Sequence, residues 1–193
     1  MKHSISIKTT NGLLSVADFK EQHISKFDVI GVVLQTETIG MVISLDQWDE
    51  IWCGEDNLDT FNEAYSEVEA LQTLSGLELT RNIVKRNKKD GEGMTAAKRC
   101  WQYGKGGLQW YLPCLYELAA IIAYYDELNK VFRMLGADII DKYEFYWSSF
   151  ENSNVTAWYA NFSNGLYYGY KCFYCLVRAV STFSPLKRGN FHH

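Results

Sequence analysis

The chain has 193 residues, 47% of them hydrophobic and 22% charged, which is enough for one substantial core and short for two. A formal charge of −4, from 19 Lys+Arg against 23 Asp+Glu, offers no electrostatic footprint for duplex nucleic acid, and the one basic cluster, Lys85-Arg86-Asn87-Lys88-Lys89, reads as a solvated loop. No apolar run approaches the roughly 18 residues of a membrane helix, and MKHSISIKTTNG at the amino terminus lacks the apolar stretch and cleavage site of a signal peptide, so the expectation is a soluble chain without export signal.

Along the chain, the β-branched runs Val29–Leu34 and Ile39–Leu45 flank the polar Gln35-Thr-Glu-Thr38, which predicts a hairpin. Asp59-Thr60 is placed to cap a helix with Phe61, Ala64, Tyr65, Val68 and Leu71 on one face, stopped by Ser75-Gly76. The charged stretch from Lys85 to Gly93 reads as an exposed loop. A helix then covers Met94–Tyr103 with Ala97, Cys100 and Trp101 inward, ended by Gly104-Lys-Gly-Gly107. Trp110-Tyr-Leu-Pro113 should be extended, since a residue before proline avoids the helical region. Leu118, Ile121, Ile122, Tyr125 and Leu128 predict one long helix over Leu115–Leu135. Residues 143–178 hold 13 aromatics in 36 positions and four charged residues, Glu144, Glu151, Lys171 and Arg178. With turn formers at Asn152-Ser153-Asn154 and Ser163-Asn164-Gly165, that composition predicts a meander of short strands.

Catalytic and metal-binding patterns are scarce. The four histidines, His3, His23, His192 and His193, lie near the termini, leaving a core triad without a base. Cys172 and Cys175 have CxxC spacing but no second ligand pair for zinc, and their β-like surroundings lack the helix N-terminus that activates a redox thiol; with Cys53, Cys100 and Cys114 they read as reduced thiols. Gly104-Lys-Gly-Gly107 has neither phosphate-loop spacing, and no acidic pair is placed about one pocket by sequence alone. Asn154-Val-Thr156 and Asn161-Phe-Ser163 fit a glycosylation sequon that needs a secretory context. What remains is the mixture of Tyr, Asn, Ser, Gly and Trp toward the carboxy terminus, the composition of a binding surface. Trp147, Trp158 and Phe162 read as core, whereas Tyr159, Tyr168, Tyr170 and Phe173 divide between core and surface, because consecutive aromatics on a strand cannot all point inward.

Taken in order, Ile30-Gly-Val-Val33, Gly40-Met-Val-Ile-Ser-Leu45, Ala96-Ala97…Cys100, Trp110-Tyr-Leu-Pro113…Glu117-Leu118, Tyr146-Trp-Ser-Ser149, Ala157-Trp158, Phe162-Ser-Asn-Gly165 and Val177-Arg-Ala-Val180 resemble the C-terminal domain of collagen-like adhesins of gut bacteria and their phages. The resemblance spans about residues 27–183. It implies an α+β C-type lectin fold of the formylglycine-generating-enzyme-like subtype, with residues 1–26 as an N-terminal extension and 27–193 as the domain. Within that fold the chain looks most like the variable proteins of diversity-generating retroelements, which implies a variable ligand-binding region at about 150–177. Adenine randomisation of AAC or AAT codons cannot produce Met, Trp, Gln, Lys or Glu. From Phe150 to Val177 only Glu151, Trp158 and Lys171 fall in that forbidden set. The enzyme branch places its cysteine pair far upstream of the terminal strand, whereas Cys172 and Cys175 directly precede Val177-Arg178, so formylglycine chemistry is not implied. Calcium-binding lectin motifs of Glu-Pro-Asn and Trp-Asn-Asp type do not occur, so neither calcium nor a sugar ligand is implied, and no cofactor is implied.

The resulting expectation is a non-enzymatic binding module on a phage virion or bacterial surface, with no nucleic-acid partner and no transmembrane segment. Trp147, Trp158, Phe162 and Arg178 hold the frame, and Asn152, Asn154, Tyr159, Asn161, Ser163, Leu166, Tyr168, Tyr170, Cys172, Phe173 and Cys175 face a protein or cell-surface ligand. Two rivals stand beside it: a fixed-sequence adhesin of the same fold, and an oxidative enzyme using Cys172 or Cys175. Residues 1–26 are open between an oligomerisation arm and an attachment segment.

Overall fold

The two β-branched runs do pair. In the computed structural model, which describes residues 2–22, 24–54, 76–87 and 93–184, β3 (Val29–Thr36) and β4 (Gly40–Ser44) form an antiparallel hairpin with Gly31 opposite Ser44 and Gln35 opposite Gly40. Thr36 closes the turn: its backbone N–H donates to Ile39 O at 2.7 Å and its hydroxyl oxygen accepts from Ile39 N at 3.0 Å. Residues 2–22 supply β1 (His3–Thr9), β2 (Gly12–Ser15) and α1 (Val16–Glu21), which is capped by Ser15 accepting from Asp18 N at 3.0 Å. With β10 (Val180–Thr182) they complete an all-antiparallel five-stranded sheet in the order β10-β4-β3-β1-β2.

This first sheet is covered on both faces. Val32, Leu34, Met41 and Ile43 enter one hydrophobic cluster while Ile30, Val33 and Val42 enter another, which is why β3 and β4 read as near-continuous apolar runs instead of alternating ones. The second cluster is closed by α2 (Gly76–Asn87), through Ile83 and Val84, and by α3 (Ala96–Gln102), through Ala96, Ala97 and Cys100. Trp101 is half-buried against it. The expected helix over Phe61–Leu71, with its stop at Ser75-Gly76, lies outside the described residues, which resume at Gly76 with α2. Lys85–Asn87 form the last turn of α2 and not a loop, because Leu79, Ile83 and Val84 place an apolar stripe on the core and carry the helix on past its charged side. Residues 88–92 lie outside the described part.

Trp110–Pro113 is extended, and Tyr111 exchanges backbone hydrogen bonds with Val180 at 2.8 and 3.0 Å. The expected long helix is two: α4 (Leu115–Ala123) and α5 (Tyr125–Leu135), divided where Tyr124 leaves the helical region at φ −116°, ψ 20°. The break puts Asp126 and Glu127 in a first turn, where helix-dipole charge favours them, and re-aims α5 so that Leu128, Val131, Phe132 and Leu135 are buried. Gly136, at φ 65°, ends α5 in the left-handed conformation that glycine adopts without strain.

Beyond it the aromatic meander forms β6 (Phe145–Glu151), β7 (Thr156–Asn161), β8 (Gly165–Tyr170) and β9 (Tyr174–Val177). With β5 (Trp48–Ile51) they make a second sheet in the order β5-β9-β6-β7-β8, antiparallel except for β9 beside β6. The architecture is α+β, two five-stranded sheets with short helices, and no described helix is long and apolar enough to cross a membrane.

Where α4 begins, Glu117 is buried and its carboxylate accepts from Tyr111 OH at 2.7 Å and from Cys114 N at 2.8 Å. Burial holds its carboxyl above the usual glutamate range. Glu117→Ala strands Cys114 N in the core and leaves Tyr111 OH only Thr182 Oγ1 at 3.3 Å, and should lower unfolding free energy by about 1–3 kcal/mol in urea denaturation. Glu117→Gln, which keeps an acceptor, should lose less.

Candidate functional site

Strand alternation decides which aromatics are core. Along β6, Tyr146 points to the first cluster and Trp147 to the second; along β7, Trp158 and Ala160 share the face of Tyr146 while Ala157 and Tyr159 share that of Trp147. The expected frame residues Trp147, Trp158 and Phe162 do lie in or against the core. β8 is the edge strand, so its outer neighbours are missing, and apart from half-buried Leu166 and Gly169 its residues are exposed on both faces. Tyr168, opposite Trp158, is 57% exposed, and Tyr170, opposite Thr156, is 56% exposed. Tyr167, opposite Tyr159 on the other face, is 44% exposed.

Of the 12 exposed large hydrophobic side chains among the described residues, seven fall between Tyr143 and Tyr174, which locates the apolar surface here. The rings are ordered by edge-to-face contacts: Trp158 with Tyr168 at 5.4 Å, Tyr170 with Phe173 at 5.5 Å, and Tyr159 with Phe145 at 4.9 Å and Trp147 at 5.5 Å. Tyr159 lies across Gly169, where a Cβ would stand 2.7 Å from its Cε1, so a side chain at 169 would displace the ring.

Asn154, Ser163, Tyr168, Tyr170 and Phe173 are exposed; Asn152, Tyr159, Leu166 and Cys172 are half-buried, Leu166 against the first cluster. Two expected contact residues are corrected. Asn161 is buried, because its side chain builds the β7–β8 turn: Oδ1 accepts from Ser163 N and Asn164 N, each at 3.0 Å, while Nδ2 donates to Tyr143 O at 2.9 Å. Cys175 is buried in the second cluster, and burial, with Asp49 and Glu144 nearby, pushes its thiol up to about 12. Sequence reasoning missed Tyr143, Phe145, Tyr167 and Tyr174, all exposed. The adjacent pairs Tyr167-Tyr168 and Phe173-Tyr174 carried the available signal. Phe145 and Tyr174 also flank a cleft of about 340 Å³ that Asp49, Asp141 and Glu144 make acidic.

A buried ion pair holds this surface. Lys171, immediately after β8, and Glu151, at the end of β6, are both fully buried and in direct contact; Lys171 Nζ also donates to Asn154 O at 2.8 Å and sits 4.8 Å from the Trp52 ring centroid. Lys171 O accepts from Trp52 N at 2.8 Å and from Cys53 N at 3.2 Å, so one residue anchors the 151–156 turn and β8 to the chain after β5. Among the described residues no cluster of three or more His, Cys, Asp or Glu is placed to hold a metal, and all five cysteines are free thiols.

Lys171→Met alone leaves the Glu151 carboxyl buried without its cation and should cost about 3–5 kcal/mol in denaturant unfolding, with much of the loss recovered by adding Glu151→Leu. Iodoacetamide at pH 8 should modify half-buried Cys172 well before buried Cys175 in native protein, read by mass spectrometry. Because the folded pKa of Cys175 lies above its ordinary value of 9.0, its contribution to stability is complete below pH 9 and is lost as pH rises toward about 12. Cys175→Ala should flatten the melting temperature across that window.

No protein-family model matches the chain, and no curated protein matches it at a significant level. Among solved structures it is similar to a fimbrial protein from Bacteroides ovatus ATCC 8483, with a TM-score of 0.66 at 14% sequence identity. That match covers 92% of this chain and 48% of the other, so the chain spans about half the length of that protein. What the two share is the fold.

Proposed function

We propose that the chain is a non-enzymatic binding module of C-type lectin-like fold that recognises a protein or cell-surface ligand through the aromatic surface of β8 and the 171–174 turn, and that a diversity-generating retroelement rewrites that surface. The observation that carries the reading is the separation of frame from display within residues 150–177. Glu151, Trp158 and Lys171, the three residues there that randomised Asn codons cannot encode, are 1%, 6% and 0% exposed. The exposed positions, Asn154, Ser163, Asn164, Gly165, Tyr167, Tyr168, Tyr170, Phe173 and Tyr174, all carry residues that such codons do encode. A surface free to vary and a frame that is not is the arrangement a rewritten binding face requires. That the similar structure is a fimbrial protein favours the second reading, a fixed-sequence adhesin on the same fold.

Each aromatic removed from water on binding contributes about 1.5–3 kcal/mol, and an uncharged patch of tyrosines and Phe173 makes that affinity nearly independent of salt. Tyr168→Ala with Tyr170→Ala should therefore abolish binding to the bacterial or phage partner while leaving the melting temperature within a few degrees, since neither side chain is core. Retained binding by the folded double variant would assign the contact elsewhere. Sequencing the gene and its flanks across isolates separates the two readings: a near-repeat of codons 150–180 differing only at adenines, beside a reverse transcriptase gene, supports diversification, whereas a constant segment leaves the fixed adhesin.

A further inference from the structure

Four strands end the two sheets, and three of them are closed to further pairing. Tyr111 lies beyond β10 and exchanges backbone hydrogen bonds with Val180. β2 is short, Gly12–Ser15, and runs directly into α1. β5, Trp48–Ile51, carries Asp49 and Glu50. β8, Gly165–Tyr170, has none of these protections: it pairs with β7 without a bulge and contains no charge and no proline. Alternate residues of an antiparallel strand bond to either side, so about half of its N–H and C=O groups face outward, and among the described residues no strand meets them. We infer that β8 is a self-association edge: a second copy of this chain adds its own β8 antiparallel, about a two-fold axis through Tyr168, and joins the β5-β9-β6-β7-β8 sheets of both copies into one. This goes beyond the ligand reading and does not rest on it, since it uses the backbone edge of β8 and that reading uses the side-chain faces.

Charge selects both the occupant and the pairing. Under a two-fold axis each residue of a strand meets itself or a near neighbour in the same strand, so a charged strand opposes like charges. β5 joined to its own copy would set Asp49 and Glu50 against carboxylates. β8 joined to its own copy opposes no charge at all. β8 joined to β5 of another copy would lay the exposed Asp49 carboxylate against aromatic rings and would leave a free edge at each end, adding copies without closing. The β8–β8 pair closes at two.

The side chains fit that register. With Tyr168 on the axis it faces Tyr168 of the second copy, and Leu166 faces Tyr170, all on the side of the sheet that Trp158 and Ala160 occupy in β7. Aromatic–aromatic and aromatic–aliphatic pairs of this kind stabilise antiparallel sheets. On the other side Tyr167 falls opposite Gly169, which offers no side chain of its own and only the Tyr159 ring that lies across it. At the ends Gly165 falls opposite Lys171, whose ammonium is fully buried against Glu151 and brings no charge to the seam.

The test is sedimentation equilibrium of the full chain, without ligand, from about 1 to 200 µM. The mass should rise from one chain to two, with a Kd in the micromolar range, and stop there. Tyr168→Lys and Tyr168→Asp each set a charge against its own copy and should weaken the dimer about tenfold or more, whereas an equimolar mixture of the two should restore it by opposing unlike charges. Tyr168 is 57% exposed, so both variants should keep their melting temperature within a few degrees. Tyr143→Lys, a charge at an exposed ring outside β8, should leave the dimer unchanged. In the unsubstituted chain, hydrogen-exchange protection of the β8 amides should rise with concentration, which tests the edge independently of how the variants fold. A monomer throughout the range, growth beyond two chains, a dimer indifferent to both charges at 168, a mixture that fails to restore pairing, or β8 protection that ignores concentration would each overturn the assignment.

Discussion

The structure turns on one buried guanidinium. Arg178 sits in the short link between β9 and β10, where the chain passes from the second sheet to the first, and it is 2% exposed. It donates to Ser44 O at the end of β4, to Gln47 in the turn before β5 and to Asp138 O after α5, and lies 4.6 Å over the Phe132 ring. Two segments distant in sequence, residues 44–47 and 132–138, thus meet on one buried guanidinium. Its partners, all on Nη1 and Nη2, are carbonyl and amide oxygens and no carboxylate, while its buried Nε has no hydrogen-bond partner among the described residues; burial draws its pKa down to about 10, so it remains a cation at neutral pH. With Val177, Ala179 and Val180 fully buried around it, the link cannot shift without opening both clusters.

From that joint the second sheet extends outward, and its two ends meet different surroundings. β6 lies inside, packed on both faces, so Tyr146 and Trp147 are equally buried though they point in opposite directions. β8 lies at the rim, where only Leu166 reaches the first cluster and most side chains on either face have little to bury against. Tyr167 and Tyr168 therefore both reach solvent for the reason that Tyr146 and Trp147 do not. The Glu151–Lys171 pair supplies what the rim lacks in apolar contact, fixing the last strand by a desolvated ion pair and by backbone bonds to Trp52 and Cys53.

The local arrangement of the chain was legible where one segment contains its own reason. The β3–β4 hairpin, the α3 helix with Ala97 and Cys100 inward, the extended Trp110–Pro113 and the meander after Tyr143 follow from periodicity, proline and turn residues that act within a few positions. The failures share a cause. The break at Tyr124 and the helical turn at Lys85–Asn87 depend on which face the fold presents to the core, and local composition alone fits either outcome. Asn161 looked like a contact residue because asparagine favours both surfaces and turns; only the position of Tyr143 O shows that it builds a turn. Cys175 looked variable beside Cys172, yet the sheet alternation that exposes one side of β9 buries the other.

By itself the sequence determined that one core-sized chain with little net charge carries an aromatic, nearly uncharged stretch at its carboxy-terminal end, since composition and two-residue alternation need no knowledge of neighbours. Which of those aromatics become surface was decided by tertiary structure alone. An edge strand and a central strand can have the same pattern, and only the order β5-β9-β6-β7-β8 says that nothing lies beyond Tyr168 and Tyr170. The same holds for Gln47 and Asp138, unremarkable in sequence, which a single buried arginine 131 and 40 residues away gathers beside one cleft.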